Sequence, residues 1–492
     1  METPGPVCLA YNVDAFPELQ HMTTIFPQIQ HIVVVMLENR SLDHMCGWIY
    51  SDPRLQPSLY LPVGSEQVYN GANSTLWNPS NADYFSGQSP IVVPIVQGTA
   101  SYSVPSADPE ETFDNVTYQL FGPPNATRKT VMQGFVVNYQ HAAASDANQI
   151  MQTFATHQVP VITALARNYA ISDAWFCSVP SQTWPNRAFA HTGTSNGHVN
   201  NGKLTNPFDW NVPTIFNLLT SMNIGWNVYS DAEVAPSLTR TMFPKLWDPL
   251  LDSHFQHFHQ FQQDCAAGAL PPYSFIEPNF LSAPNDEHPP HDVSAGEMFL
   301  FQIWQAVCQS PLWTKTLLVI TYDEHGGCYD HVPPPKGAAT PDKASNPGQE
   351  NFAFDRFGVR VPTVVVSPYI EAGTVFRSDT AVPYDHTSIL ATLRDWIGIR
   401  TGDMLPSART AVAPNLAQVL TLPQPRTDMP AISPPSAIAQ HTTLSLPPND
   451  LQQSLVASAA YRYGMNPADI AAQVKTRQHA VDFFRRRAPR AH

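Results

Sequence analysis

Three short, unbroken apolar runs constrain the fold of this chain more than any other feature. They are Ile32 to Leu37, Thr316 to Tyr322 and Val361 to Val366, and each is rich in β-branched residues. Strands buried on both faces of a parallel sheet have this character, whereas strands with one solvated face alternate polar and apolar residues. All three runs fall far short of the ~18 residues that a membrane span requires. They therefore predict a soluble α/β protein with no transmembrane segment.

Helical patterns lie between and after these runs. Ser294 to Val307 carries a broad apolar stripe and begins with a capping box formed by Ser294 and Glu297. Thr387 to Ile397 also has a helical pattern. The combination of buried strands and helical segments predicts a largely parallel central sheet flanked by helices over roughly residues 25 to 400.

Proline is frequent, with 48 prolines against 23 glycines in 492 residues, which predicts long ordered loop insertions in this α/β fold. Residues 51–130 are predicted to be a polar insertion within a main domain spanning 1–403, and residues 333–352 a second insertion. Residues 404–492 are predicted to be a proline-rich linker and a small helical C-terminal region. Its last helix begins at Asn466-Pro467 and places Ile470, Val474, Val481 and Phe484 on one face.

Net charge and targeting signals limit which binding partners and which cellular compartment are expected. The balance of 26 Lys and Arg against 40 Asp and Glu gives a net charge of −14, which argues against nucleic acid as a partner. Residues 1–6 lack a basic region and an apolar core, so no secretory signal is predicted. Glycosylation sequons at Asn73, Asn115 and Asn125 would matter only in a secretory compartment. The sequence favours the cytoplasm over secretion and does not indicate the oligomeric state.

Acidic and amide side chains follow two of the apolar runs directly. Glu38 and Asn39 come after the first run, and Asp323 and Glu324 come after the second. Ligands of open α/β sheets bind at the carboxyl ends of the strands, so these side chains should meet at one edge. They are a hard oxygen-ligand set, which predicts one divalent cation: Mg, Ca, Mn, Fe or Zn. The alternative is that each acidic pair caps a loop or forms a surface salt bridge.

Thr183 is the candidate nucleophile. Pro185 can open a helix, so Thr183 would lie at a helix N-terminus, where backbone N–H groups favour bound phosphate and an ionising hydroxyl. A threonine hydroxyl activated beside a cation is a workable nucleophile. The alternative is an ordinary helix cap.

Two histidines suit phosphoryl chemistry. His288 and His331 lie in turn-rich segments beside acidic residues. Such histidines can bind phosphate or donate a proton to a leaving group. Many of the 18 histidines in the chain must instead be ordinary structural residues.

Five ordered blocks resemble those of a known phosphoesterase family that includes bacterial acid phosphatases, bacterial phospholipases C and plant non-specific phospholipases C. The blocks are Glu38 to His44, Thr183 to Arg187, Asp286 to Val293, Asp323 to Val332 and His386 to Ile389. The resemblance implies an alkaline-phosphatase-like fold and a metal-dependent phosphoric-ester hydrolase with a phosphate-ester or phospholipid substrate. It implies a cation site at Glu38, Asn39, Asp323 and Glu324, and a phosphothreonine intermediate on Thr183. His288 and His331 would lie near the phosphoryl group, and Asn186, Arg187 and His325 would contact substrate.

The chain departs from the family pattern at Glu111. In Asp108 to Phe113 similar proteins commonly read Asp-Pro-Gly-His, so Glu111 replaces a histidine that faces the phosphate. The resemblance therefore implies that Glu111 contacts substrate and alters the substrate range. The alternative is a register one residue off, with Glu111 a solvated loop carboxylate. Leu42 and Cys328 replace aromatic residues of the family.

Two other functions fit parts of the sequence. Gly193 to Gly197 matches the G-x-S-x-G elbow of α/β-hydrolases, which would make Ser195 an esterase nucleophile. That motif requires a strand before it and a helix after it, whereas here a helical pattern precedes it. A non-catalytic phosphate-binding protein is the third reading, with Glu111 as a sign of lost activity.

Overall fold

The computed structural model describes residues 25–142, 146–201, 210–436 and 444–487. The N-terminal segment, in which no secretory signal is predicted, lies outside these residues. Within them the strands are β1 (His31–Leu37), β2 (Leu59–Leu61), β3 (Trp77–Pro79), β4 (Val92–Pro94), β5 (Val96–Gln97), β6 (Gln152–Thr153), β7 (Ala170–Ser172), β8 (Trp226–Ser230), β9 (Phe255–His257), β10 (Tyr273–Glu277), β11 (Thr316–Tyr322), β12 (Thr363–Val366) and β13 (Thr374–Phe376).

Nine of these strands form one sheet in the order β2-β13-β7-β12-β11-β1-β10-β8-β9. Every neighbouring pair is parallel except those that involve β12. The prediction of a largely parallel α/β sheet is confirmed. β1, β11 and β12 are buried along nearly their whole length, as their unbroken apolar sequences require.

The direction of β12 differs from the expectation. β12 runs antiparallel to β11, with Val319 opposite Val365. An apolar run shows that a strand is buried on both faces, but it carries no information about direction. A parallel neighbour needs a crossover, usually a helix, whereas the chain between β11 and β12 contains no α-helix and returns from the edge at which β11 ends.

The α-helices of the described residues are α1 (Leu42–Cys46), α2 (Phe113–Phe121), α3 (Phe135–Tyr139), α4 (Pro160–Asn168), α5 (Thr183–Thr192), α6 (Ile215–Ser221), α7 (Leu238–Met242), α8 (Phe258–Ala267), α9 (Val293–Gln309), α10 (Thr387–Ile397), α11 (Ala408–Val412), α12 (Asp450–Arg462), α13 (Pro467–Gln473) and α14 (Arg477–Arg485). The prediction of α10 is confirmed. No helix among the described residues is long and apolar enough to cross a membrane.

The predicted capping box at the start of α9 is wrong. The helix begins at Val293, and the side chain of Asp292 caps it by accepting from the Ser294 N–H. Glu297 is instead buried and accepts from the backbone N–H groups of Val161 and Ile162, at the first turn of α4. A carboxylate at a helix N-terminus is stabilising, and here it joins two helices rather than closing one.

The C-terminal helices pack into the same apolar core as the sheet. Leu455, Val481 and Phe484 are buried members of that core, together with the strand residues. The helix predicted from Asn466 is two helices, because α13 ends at Gln473 and Thr476 caps α14. The C-terminal region thereby covers part of the molecule that contains the candidate site.

Candidate active site

The two predicted strand-end pairs meet at one edge of the sheet. β1 and β11 are parallel neighbours with Leu37 opposite Tyr322, so the residues that follow both strands emerge side by side. The backbone N–H of Asn39 donates to Oδ1 of Asp323 over 3.0 Å. Glu38, Asn39, Asp323 and Glu324 are all fully buried. The charges of Glu38, Asp323 and Glu324 also act on one another, so the structure places these three carboxyl groups in one neighbourhood beside Asn39.

Thr183 lies against this group. It is the first residue of α5, and its Oγ1 donates to Oε2 of Glu38 over 3.0 Å. The side chain that accepts a hydrogen bond from the first turn of this helix is that of Asn201 and not that of Thr183, because Asn201 Oδ1 accepts from the Trp184 N–H. The alternative of an ordinary helix cap therefore does not describe Thr183. Its hydroxyl points at the carboxylate edge, and the backbone N–H groups of the first turn lie beside it.

Arg187 lies one helical turn after Thr183 and ties α5 to β1. Its Nε donates to Oε1 of Glu38 over 2.9 Å, and its Nη2 donates to the Met36 carbonyl over 2.9 Å and to Glu38. Its Nη1 is buried and has no hydrogen-bond partner among the described residues. A guanidinium held in this way retains one donor group for an anionic substrate oxygen.

Asn186, which the resemblance places in contact with substrate, is bonded to the loop before α5. Its Oδ1 accepts from the Val179 N–H, and its Nδ2 donates to the carbonyls of Val179, Ser181 and Gln182. Both hydrogens of the amide are therefore engaged within the protein. Asn186 fixes the loop that leads into Thr183.

Several buried atoms of the group lack partners. Asn39 Oδ1, Asp323 Oδ2 and Glu324 Oε1 have no hydrogen-bond donor among the described residues. Burial raises the pKa of Glu324 well above its usual range, and the charges of Glu111 and Asp323 raise it further. Burial likewise raises the pKa of Glu38, although Arg187 acts against this. Buried acceptors without donors are costly, and a divalent cation is the partner that such oxygens fit.

Glu111 lies in the same neighbourhood, so it is not a solvated loop carboxylate. It is 4% exposed, and its Oε2 has no partner in the described part of the chain. Burial raises the pKa of Glu111 well above its usual range, and Asp108, Asp450 and Asp323 raise it further. His288 is also buried, and its Nε2 lies 3.9 Å from Oδ2 of Asp108.

His325 is fully buried beside the acidic edge. Its Nδ1 lies 3.3 Å from Oε2 of Glu324, and its Nε2 lies 2.8 Å from Oε1 of Gln119. Burial lowers the pKa of His325 to about 3, so its ring is neutral near pH 7. Gln119 Oε1 can only accept, so the neutral ring carries its hydrogen on Nε2, and Nδ1 has no hydrogen-bond partner among the described residues.

His331 belongs to a different group of charged side chains, which we call the Arg360 cluster: Asp43, Asp330, His331 and Arg360. His331 Nδ1 lies 2.6 Å from Oδ2 of Asp43. Arg360 donates from Nε to Oδ1 of Asp330 over 3.0 Å and from Nη2 to Oδ1 of Asp43 over 3.1 Å. These contacts describe a structural ion network, and they do not join His331 to Thr183.

Ser195 does not occupy a nucleophile elbow. It follows α5 and lies in a loop, with no strand leading into it. Its hydroxyl donates to the His198 carbonyl over 2.6 Å. The geometry that an esterase nucleophile requires is therefore absent from this described segment.

The sequence analysis missed residues that reach the site from the C-terminal helices. Gln182, adjacent to Thr183, donates from Nε2 to Oδ2 of Asp450 at the start of α12 over 2.8 Å. Arg477 of α14 places Nη1 2.6 Å from Nε2 of His291, whose Nδ1 lies 2.6 Å from Oδ1 of Asp286. The Asn449 cap was a local signal for a helix start, but no local pattern shows where that start lies.

The chain is similar to known proteins over most of its length. The chain matches the Phosphoesterase family over residues 29–400. Non-specific phospholipase C3 of Arabidopsis thaliana is 33% identical over 458 residues, which are 89% of this chain and 83% of the relative. Phospholipase C B of Mycobacterium tuberculosis is 26% identical over 469 residues, 84% of this chain and 83% of the relative. A solved protein of the alkaline phosphatase superfamily from Vibrio parahaemolyticus is 10% identical, covers 53% of this chain and 66% of its own, and has a TM-score of 0.32.

Proposed function

The chain belongs to the Phosphoesterase family, and from that premise we propose that it is a phospholipase C-type phosphoric-ester hydrolase with Thr183 as its nucleophile. The observation that carries this proposal is the Thr183 site, which we define as Glu38, Asn39, Thr183, Arg187, Asp323 and Glu324. It contains a buried hydroxyl at a helix N-terminus, an acceptor for the hydroxyl proton, a guanidinium donor without a partner and unsatisfied carboxylate oxygens.

The hydroxyl of Thr183 is oriented for attack on phosphorus. Its proton points at Glu38 Oε2, so the lone pairs of Oγ1 face away from that carboxylate. In the proposed step Oγ1 forms a bond to phosphorus while the bond from phosphorus to the leaving oxygen breaks. The hydroxyl proton passes to Glu38, and the leaving oxygen takes up a proton from solvent. Water then cleaves the phosphoryl ester on Thr183, which for a diester substrate still carries the head group, to release the phosphorylated product and regenerate the hydroxyl.

Arg187 and the start of α5 would bind the non-bridging oxygens of the substrate. Arg187 Nη1 has no partner in the described part of the chain, although the rest of its guanidinium is fixed by Glu38 and Met36. A fixed donor loses little freedom when it binds, so its interaction can be directed at the transition state.

Glu38, Asn39, Asp323 and Glu324 would hold a divalent cation. The unpartnered oxygens Asn39 Oδ1, Asp323 Oδ2 and Glu324 Oε1 fit such an ion. A bound cation supplies positive charge for the phosphoryl oxygens. The Gly326 N–H holds Glu324 and the Asn39 N–H holds Asp323, so the protein itself orients these ligands.

His288 would lie near the phosphoryl group. Its Nδ1 lies 2.7 Å from the Pro289 carbonyl, which can only accept, so Nδ1 carries a hydrogen and Nε2 faces Asp108 and Glu111. The relatives named above are phospholipases C, which supports a phospholipid diester as the substrate class.

The intermediate provides the sharpest test. Purified protein is mixed with a phosphatidylcholine substrate, quenched in acid and digested, and the peptide that contains Thr183 is searched for a phosphocholine ester, because only diacylglycerol leaves in the first step. We expect phosphocholine on Thr183 in the wild type and none in Thr183→Val, which keeps the shape of the side chain. Hydrolysis of the substrate with no such peptide, or with phosphocholine on another residue, would contradict the nucleophile.

Chelation tests the cation separately. Removing divalent ions should reduce phosphatidylcholine hydrolysis to background, and adding back one divalent ion should restore it. A chelator already saturated with the same ion serves as the control and should leave hydrolysis unchanged. An active preparation that holds no divalent cation would contradict this part of the proposal.

A further inference from the structure

Asp108, Glu111 and His288 form a compact group beside the Thr183 site. Each offers one ligand atom, and these atoms lie within 4.8 Å of one another. Asp43, Asp330 and His331 form the other such group among the described residues, so it provides an internal comparison.

The comparison group is saturated by an arginine. Arg360 donates to both Asp43 and Asp330, and His331 occupies the remaining oxygen of Asp43. A guanidinium therefore takes the place that a cation would occupy. Nothing further is needed to balance those two buried carboxylates.

The Asp108 group has no such guanidinium. Arg477 is close enough to interact electrostatically with Asp108, but its Nη1 is directed at His291. Glu111 is 4% exposed; Gln182 forms a hydrogen bond with its carboxyl group, but its Oε2 has no partner in the described part of the chain. A carboxylate that is more than nine-tenths buried with an empty acceptor needs a positive partner.

The geometry at His288 suits a metal ion better than a hydrogen bond. The 3.9 Å between His288 Nε2 and Asp108 Oδ2 exceeds a hydrogen-bond length. Two ligands of a four-coordinate ion with bonds of about 2.1 Å lie about 3.4 Å apart, which a shift of a few tenths of an ångström would allow. The Nδ1 contact with the Pro289 carbonyl orients the ring, as the outer hydrogen bond of a metal-binding histidine does.

The surrounding charge also calls for more than one cation. Glu111 interacts electrostatically with Asp108, Asp450 and Asp323, and Glu324 interacts with Glu111 and Glu38. Arg187 is the one guanidinium bound directly to these carboxyls among the contacts described above. A single divalent ion would leave a surplus of carboxylates around the place where an anionic phosphate must bind.

We propose that Asp108, Glu111 and His288 bind a second divalent cation, separate from the one expected at Glu38, Asn39, Asp323 and Glu324. An imidazole with two carboxylates suits Zn²⁺ better than Mg²⁺ or Ca²⁺, which prefer oxygen ligands alone. The location of this cation beside a phosphoryl group rests on the proposed function, whereas the binding of the cation itself does not depend on that function.

The test counts ions in the tag-free full-length protein. The protein is stripped with a chelator, titrated with Zn²⁺ by calorimetry, and analysed for metal content after removal of free ion. We expect two Zn²⁺ per chain in the wild type and one in Glu111→Gln and in Asp108→Asn. The affinity of the lost site should fall at least about 100-fold, since replacement of a mere supporting residue costs 10- to 100-fold.

Glu110→Gln is the matched control. Glu110 is the exposed neighbour of Glu111, and its carboxylate accepts from Asn115, so the substitution removes the same charge without removing a ligand. It should retain two Zn²⁺ per chain. Asp108 is partly exposed, with 31% of its side chain accessible, so Asp108→Asn reports on the site even if Glu111→Gln were to fold poorly.

Three results would overturn the proposal: one Zn²⁺ in the wild type, two Zn²⁺ in both ligand variants, or one Zn²⁺ in Glu110→Gln. Binding of tetramethylammonium that is lost in Glu111→Gln, without a second Zn²⁺, would also overturn it and make the group an ammonium subsite. A wild type that binds one ion and hydrolyses phospholipid would refute only the second site. A wild type that binds two ions but hydrolyses no phosphoric ester would refute only the proposed function.

Discussion

The Thr183 site and the Arg360 cluster are both buried groups of charged side chains beyond the carboxyl ends of the strands, yet they are satisfied to different degrees. In the Arg360 cluster the arginine meets Asp43 and Asp330 with several hydrogen bonds. In the Thr183 site Asp323 Oδ2, Glu324 Oε1 and Arg187 Nη1 have no partner among the described residues. A saturated network holds the fold together, whereas an unsaturated one is suited to a ligand. The residue types alone do not distinguish the two.

Thr183→Ala should have the largest effect on activity. It should show most clearly that the Thr183 site serves activity and not stability. We expect phosphatidylcholine hydrolysis to fall at least about 1,000-fold, because the bond to phosphorus can no longer form. The melting temperature should change little, since one hydroxyl and one methyl group are lost. Ser195→Ala, which removes a hydroxyl bound to a loop carbonyl, is the control and should retain activity. Comparable activity of Thr183→Ala and the wild type would break the comparison.

Arg360→Met should show the opposite pattern. It leaves the buried carboxylates of Asp43 and Asp330 without their cation, which costs about 3–5 kcal/mol in the free energy of unfolding. Urea denaturation measures this loss. Arg54→Met is the control, because Arg54 forms a surface pair with Asp52 and its removal should not change stability measurably. Equal stability of Arg360→Met and Arg54→Met would show that the cluster is not structural.

Lysine at the two arginine positions sharpens the comparison further. Arg187→Lys keeps the charge beside Glu38 but removes Nη1, so kcat/KM should fall about 10- to 100-fold, the value of a charge-assisted hydrogen bond. Arg360→Lys should lower the melting temperature and leave KM unchanged. Steady-state kinetics and thermal melts of both variants check this. A shift in KM with Arg360→Lys would connect the two regions.

The smallest predicted effect is the pH dependence of the Arg360 cluster. Burial acts to lower the pKa of His331, but its hydrogen bond to Asp43 and the charges of Asp43 and Asp330 outweigh this and raise the pKa above 6.5. The folded state therefore binds the proton more tightly than the unfolded state. The resulting stabilisation is present below about pH 6.5 and is lost as pH rises through the folded-state pKa.

Unfolding of the wild type and His331→Gln at pH 5.5 and pH 8.5 measures this contribution. We expect the wild type to exceed the variant by more at pH 5.5, with a difference on the order of 1 kcal/mol between the two pH values. The same free-energy difference at both pH values would indicate that His331 does not gain a proton in the folded cluster.

The acidic residues at the sheet edge could be predicted from the sequence, because each directly follows an apolar run that reads as a buried strand. Glu38 and Asp323 directly follow apolar runs, and parallel pairing of those runs brings them together. The direction of β12 could not be predicted, since its run has the same character as a parallel strand. The roles of Asn186 and His331 depend on which atoms are already bound, and sequence blocks do not reveal that. Asp450 was missed because only tertiary packing brings it to Gln182.

The C-terminal contacts at the site set an order for the biosynthesis of the molecule. The last strand of the central sheet is β13, so the sheet can close once Phe376 has been synthesised. Gln182 and His291 still lack Asp450 and Arg477 at that stage. At about 5–20 residues per second, translation of the intervening segment takes roughly 5 to 20 seconds. A nascent chain can therefore complete the sheet before Asp450 and Arg477 exist, and until then Gln182 and His291 lack these partners.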